Sequence, residues 1–179
     1  MIEFIIKIFI RIMGIFCFHN HYKMSKEERV FFYENDLSGC FILTRINKCS
    51  SNLFIKGYYK HIGIIDKNDV IEAKTKDGVV STPIEKFLED KDAYCVLHIK
   101  NISDEIDYAI VKSARDKIGV EYDMLFEQED DKFYCSEAAY DSAVEAVDGF
   151  VLNYDGSVIV PQDFYNKEKL SILREIRKR

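Results

Sequence analysis

Two apolar runs, residues 58–65 and 70–74, flank the tetrapeptide Asp66-Lys67-Asn68-Asp69, and no other feature of the 179-residue chain restricts its folding as tightly. Turn-forming residues between two such runs call for an antiparallel hairpin. If Ile65 pairs with Val70, paired positions sum to 135, so His61 faces Lys74 and Gly63 faces Glu72. Side chains alternate along a strand, which puts His61 and Glu72 on one face as diagonal neighbours, about 7–8 Å apart at the backbone. A carboxylate in that place orients an imidazole and fixes the tautomer a general base requires. An odd-length loop would break the relation, so it rests on the register.

The partner for such a base lies 74 positions downstream. Phe133-Tyr134-Cys135-Ser136-Glu137 reads as an aromatic lead-in to a helix over residues 135–147, stopped by Gly149. A thiol needs a nearby base to become a thiolate near neutral pH, and a helix N-terminus lowers its pKa further. Ala138, Ala139, Ser142 and Ala146 share a face with Cys135 at helical spacing, so this helix can approach a sheet closely. The Cys135 backbone N–H is a free helix-end donor, available to a developing oxyanion. Glu137 complements the helix dipole and reads as structural.

Around this pair the pattern is that of one α+β domain over residues 24–179. Residues 24–36 are charged and predict a short helix or connection. Residues 40–44 form an apolar strand after Ser38-Gly39, and Asp77-Gly78 turns the chain before Val79-Val80. Pro83 opens a short helix over 84–89, and residues 94–100 alternate as a strand. Ser103 caps a helix with Ile106, Ala109, Ile110, Ala114 and Ile118 at helical spacing, ended by Gly119. Residues 150–153 and 157–160 bracket Asp155-Gly156 as a second hairpin, and the basic residues 167–179 predict a helical tail. The expected architecture is a central antiparallel sheet packed against the Cys135 helix and the 103–118 helix.

Composition removes several function classes. A net charge of −6 gives no support for nucleic acid as a partner. The five cysteines are odd in number and never spaced as C-x-x-C, so neither a disulfide framework nor a zinc site is expected, and a reducing, cytoplasmic compartment fits better. No metal or cofactor is called for; His19-Asn20-His21 lacks a third ligand and reads as a polar helix exit. Cys17, Cys40, Cys49 and Cys95 sit in apolar surroundings that leave a thiol inert. His98 is a rival base, although its alternating strand favours a solvated histidine.

Residues 1–23 form an apolar extension, in which Glu3, Lys7 and Arg11 make one polar stripe on residues 1–18. It has no secretory cleavage site and is too interrupted by charge for a spanning helix. Two readings stand: it lies on a membrane surface or a protein partner, or it docks on its own domain.

The segments Ser38-Gly39-Cys40-Phe41-Ile42-Leu43-Thr44, Tyr59 with His61-Ile62-Gly63-Ile64, Val70-Ile71-Glu72-Ala73 and Gly78-Val79-Val80 occur in a distinctive order. They are followed by Gly119-Val120-Glu121-Tyr122-Asp123-Met124-Leu125-Phe126, Tyr134-Cys135-Ser136-Glu137 and Val160-Pro161-Gln162-Asp163-Phe164. In this order, over about residues 36–165, the chain resembles the permuted papain-like cysteine hydrolases of the YiiX type, relatives of the NlpC peptidoglycan peptidases. The resemblance implies a circularly permuted papain-like topology with the histidine strand before the cysteine helix. It implies Cys135 as nucleophile, His61 as base and Glu72 as the orienting residue, with Tyr122 and Tyr134 beside the cleft and Tyr134 near the oxyanion. One departure is visible: the family commonly has Gly-Asp opening its first strand, and here Cys40 follows Gly39. That puts local loop geometry in question more than chemistry.

The expected activity is that of a cysteine hydrolase or acyltransferase acting on an amide of a cell-wall peptide or other peptide, with an ester or thioester of an acylated small molecule as a further substrate class. The alternative is a catalytically silent structural or binding module, associated with a virion or envelope through residues 1–18.

Overall fold

The turn at residues 66–69 forms in the expected register. In the computed structural model, which describes residues 22–47, 55–126, 131–154 and 158–177, β2 (His61–Asp66) and β3 (Asp69–Lys74) pair antiparallel, with Ile65 opposite Val70 and Ile64 opposite Ile71. Asp66 and Asp69 pair with each other, so the connection shrinks to Lys67 and Asn68. The loop stays even, and the parity that joins His61 to Glu72 survives. Lys67 takes φ 55°, the left-handed conformation such tight connections require.

The sheet grows from this hairpin in both directions. β4 (Gly78–Pro83) pairs with β3, while β1 (Phe41–Arg45) pairs with β2, β5 (Ala93–Ile99) with β1, and β6 (Leu170–Arg177) with β5. The order is β4-β3-β2-β1-β5-β6, with every neighbouring pair antiparallel. Strand alternation sends side chains to two cores. On one face Leu43, Ile64, Ile71 and Leu97 pack with α3 (Asp104–Asp116) and α4 (Cys135–Ala146). On the other, Ile42, Ile65, Val70 and Val96 pack with Phe32 of α1 (Lys26–Glu34) and Phe87 of α2 (Ile84–Leu88). Ser25 caps α1: its Oγ accepts from the Glu28 N–H, and Glu28 accepts from the Ser25 N–H in return.

Two elements differ from expectation. The C-terminal segment expected to be helical is the edge strand β6. Its seven pairings satisfy the backbone of β5, which would otherwise present a long open edge, and its two basic residues are accommodated on opposite faces, Arg174 over the Phe31 ring and Arg177 over the Tyr58 ring. The hairpin expected around Asp155-Gly156 does not form among the described residues 150–154 and 158–160. Phe150, Leu152 and Ile159 are instead buried in the helix-side core as irregular chain. Their apolar alternation served core burial without a ladder. The extension expected at residues 1–18, like Cys17 and Cys49, lies outside the described residues. At the first described position the Tyr22 N–H donates to the Glu89 carbonyl, 2.6 Å away.

Candidate active site

His61 is the first residue of β2 and the last position of its ladder with β1, opposite Thr44. The β2–β3 ladder is only three pairs long and ends at Ile64–Ile71. Beyond that point β2 and β3 no longer pair with each other, and the side chains bridge them: His61 Nε2 lies 2.7 Å from Glu72 Oε2. The hairpin parity read from the sequence thus delivers the contact. Gly63, opposite Glu72 in this register, has no room for a side chain. A Cβ there would lie 2.4 Å from Val70 Cγ1 and 2.8 Å from the Ile71 carbonyl oxygen, so only glycine allows the strands this approach.

Cys135 opens α4 and is 8 % exposed. The small-residue face seats the helix on the sheet through Ala139, Ser142 and Ala143, all buried, while Ala146 is only partly covered. Ser136 fixes the first turn from behind, its Oγ donating to the Ile159 carbonyl at 3.0 Å. The Tyr134 N–H donates to Glu137 Oε2 at 3.3 Å, so Glu137 does the structural work expected of it. Cys135 and Glu72 line a shared crevice of about 10 Å³ with Gly63, Ile64, Ile71 and Ala73, room for about one water.

Three titrating groups meet here. Burial pushes the Cys135 thiol up, but the hydrogen bond and charge of His61 outweigh it, helped by the Ile62 backbone N–H and the Ser136 side chain. The net direction is below the ordinary thiol value. Burial pushes the His61 imidazole down, and hydrogen bonds and charge from Cys135 and Glu72 more than reverse this, to about 9. Glu72, which burial would raise, is held down to about 2, chiefly by its hydrogen bond to His61. The arrangement favours a thiolate–imidazolium pair backed by a carboxylate.

The remaining sequence candidates are placed differently. Tyr122 is partly buried and close enough to Cys135 for the thiolate charge to add to burial in raising its hydroxyl. It borders a cavity of about 290 Å³ with Asp77, Glu121, Met124, Leu125 and Lys132. Tyr134 is 2 % exposed, N-caps α4 and packs its ring 5.1 Å from Phe126, inside the core instead of along an open wall. His98 is not brought to the site: its Nε2 is 3.0 Å from each carboxylate oxygen of Asp107 on α3. Cys40 and Cys95 are buried, and desolvation pushes both thiols up to about 12.

Sequence reasoning missed several groups. Phe87 of α2 lies 5.8 Å from the His61 ring, centroid to centroid. Gln162 accepts from the Tyr58 and Tyr59 N–H groups at 2.8 and 3.2 Å, fixing the chain just before His61. Lys74 reaches Glu72 Oε1 at 3.0 Å, and for it a signal existed: residues 72 and 74 of one strand share a face.

A family model described as permuted papain-like amidase enzyme, YaeF/YiiX, C92 family, matches residues 37–173. The fold is also similar to the crystal structure of metalloprotein yiiX from Escherichia coli O157:H7, with a TM-score of 0.65 at 20 % sequence identity, covering 78 % of this chain and 97 % of that one. No curated protein matches.

Proposed function

The chain belongs to the C92 family of permuted papain-like amidases, and from that premise we propose that Cys135, His61 and Glu72 are its catalytic triad and that it cleaves a peptide amide by acyl transfer. The observation that carries this reading is geometric: His61 is held 2.7 Å from Glu72, and Glu72 shares a crevice with Cys135 at the mouth of α4.

In the proposed reaction His61 holds the proton taken from Cys135, and the sulfur attacks the substrate carbonyl carbon. The oxyanion that forms is met by the Cys135 backbone N–H at the start of α4. Collapse breaks the C–N bond; the amine leaves with the proton from His61, and a thioester to Cys135 remains. Water, giving its proton to His61, then attacks the thioester and releases the acid and the thiol. Tyr122 borders the cavity next to the thiol and is proposed to line the substrate path. Tyr134, buried at the N-cap, is proposed to act on the oxyanion region through the placement of α4.

A cell-wall peptide is the substrate proposed first, with other peptides and acyl esters or thioesters of small molecules as competitors for the same sulfur. Residues 1–18 are proposed to bring the enzyme to a membrane surface. The relative yiiX is described as a metalloprotein; among the described residues of this chain no group of three or more His, Cys, Asp and Glu side chains comes together to hold an ion.

Iodoacetamide labelling read by mass spectrometry tests the triad. Cys135 is expected to alkylate at pH 6–7 at least about tenfold faster than Cys40 and Cys95, and His61→Ala is expected to remove the advantage. Equal, slow labelling of all three would overturn the proposal. Cell-wall peptides, isopeptides and acyl esters assayed against Cys135→Ala then rank the substrate classes.

A further inference from the structure

We infer that Lys74, anchored on Thr82, is a positioning residue: it holds the Glu72 carboxylate in the orientation that faces His61. The inference deepens the triad reading and rests on it. Glu72 is 5 % exposed, so bulk water does not orient it. Its Oε2 lies 2.7 Å from His61 Nε2 and its Oε1 lies 3.0 Å from Lys74 Nζ. Nζ donates in turn to Thr82 Oγ1 at 2.9 Å. Each carboxylate oxygen therefore has its own partner, with the Thr82 hydroxyl as a further group acting on Glu72, and rotating the carboxylate to leave His61 would also break the contact with Lys74.

The strand geometry explains why lysine fits. Lys74 and Glu72 lie two apart on β3 and share a face. On β4, Lys74 is opposite Gly78 and Val70 is opposite Thr82. Lys74 must therefore run back along its own strand, past Glu72, to reach the threonine hydroxyl. A long unbranched stem does this, and Thr82, 4 % exposed, gives its ammonium a buried anchor. Other charges surround the site: Lys86, Glu89, Asp90 and Lys91 border a cavity of about 470 Å³ with Glu72 and Lys74, and Lys117 borders the crevice on the thiol side.

Two consequences of removing Lys74 have opposite signs, which makes the inference decidable. Loss of a nearby cation alone strengthens the hold of Glu72 on the imidazolium and raises the proton affinity of His61. Loss of orientation weakens the Glu72–His61 bond and lowers it. NMR titration of the His61 imidazole in the full chain, with Cys135 intact and the signal assigned through His61→Gln, reads the difference. Lys74→Met is expected to lower the His61 midpoint in the direction of Glu72→Gln, by about tenfold in proton affinity. Lys74→Arg is expected to keep the wild-type midpoint, and Thr82→Val, which removes both the anchor of Lys74 and a group acting on Glu72, to shift it the same way as Lys74→Met. Lys74→Gln replaces Lys74→Met if the latter does not fold. A His61 midpoint unmoved or raised in the Lys74 variant, while Glu72→Gln lowers it, overturns the role of Lys74 and leaves the triad standing. If neither Glu72→Gln nor His61→Gln alters the alkylation rate of Cys135, the triad reading fails and this inference falls with it.

Discussion

Three buried thiols in one domain show how much a single neighbour decides. Cys40 and Cys95 are pushed up to about 12 because desolvation meets no adequate counterweight. Cys135 is similarly covered yet shifts the other way, because an imidazole reaches it. The pH dependence follows from the signs. Cys135 is deprotonated above its lowered value, and acidification removes the thiolate. His61 stays protonated until about 9, and alkalinisation removes the proton that the leaving amine needs. The kcat/KM for amide cleavage is therefore expected to be bell-shaped, its acid limb below the ordinary thiol range and its alkaline limb near 9. Glu72→Gln should move the alkaline limb down; a profile that rises monotonically through the ordinary thiol pKa would contradict the ion pair. At this scale His61 and Glu72 were legible because a short turn fixes parity over a few residues. Cys135 was legible as a thiol at a helix start, but its approach to His61 depends on how a distant helix docks, which residue spacing does not encode. The resemblance to a known family supplied that link in advance. The anchoring of Lys74 on Thr82 was hidden for a similar reason, since it needs the β3–β4 register as well.

Among the elements, α4 places the sulfur and α3 holds α4. Ile110, Val111 and Ala114 of α3 share a core with Ala139 and Ala143 of α4. At the end of α3, Lys117 adds a polar clasp: its Nζ donates to Ser113 Oγ at 2.9 Å and to Glu145 Oε1 at 3.0 Å, with Asp141 at 3.6 Å. The lysine side chain is 8 % exposed, whereas Asp141 and Glu145 are 46 % and 53 % exposed. Removing the cation therefore strands no buried carboxylate, and the loss should resemble that of a surface pair, about 1 kcal/mol, instead of the larger penalty of a broken buried pair. Lys117→Met keeps the stem packing, and thermal unfolding is expected to show Tm lowered by about 2–4 °C. An unchanged Tm would mean that apolar packing alone seats the helix. Helix positions were legible because apolar periodicity and caps are local: 103–118 became Asp104–Asp116, and 135–147 became Cys135–Ala146. Residues 150–160 misled for the converse reason. Alternating apolar residues describe burial on one side, and a core wall of irregular chain satisfies that pattern as well as a hairpin does.

Across the whole molecule, β6 closes the sheet and ties its far edge to the site. Its partner β5 is buried almost throughout, so a missing β6 would leave a long apolar edge open. Glu175 of β6 accepts from the Tyr59 hydroxyl at 2.5 Å and from the Tyr165 hydroxyl at 3.1 Å. Tyr59 is fully buried two residues before His61, so the last strand fixes the chain that carries His61. The basic residues that suggested a helical tail are compatible with this strand because only part of it faces the core, and the demand for a strand comes from β5, some 75 residues earlier in the chain. A variant ending at Lys169 would strand the buried Tyr59 hydroxyl, at about 1–3 kcal/mol, and expose the β5 edge at the same time. Size-exclusion chromatography of that variant is expected to show aggregated or insoluble protein, with Cys135 no longer distinguished from Cys40 and Cys95 by its alkylation rate. A soluble monomer that retained fast Cys135 labelling would mean that β1–β5 and the two helices suffice to bring thiol and imidazole together, and that β6 serves only to protect the edge.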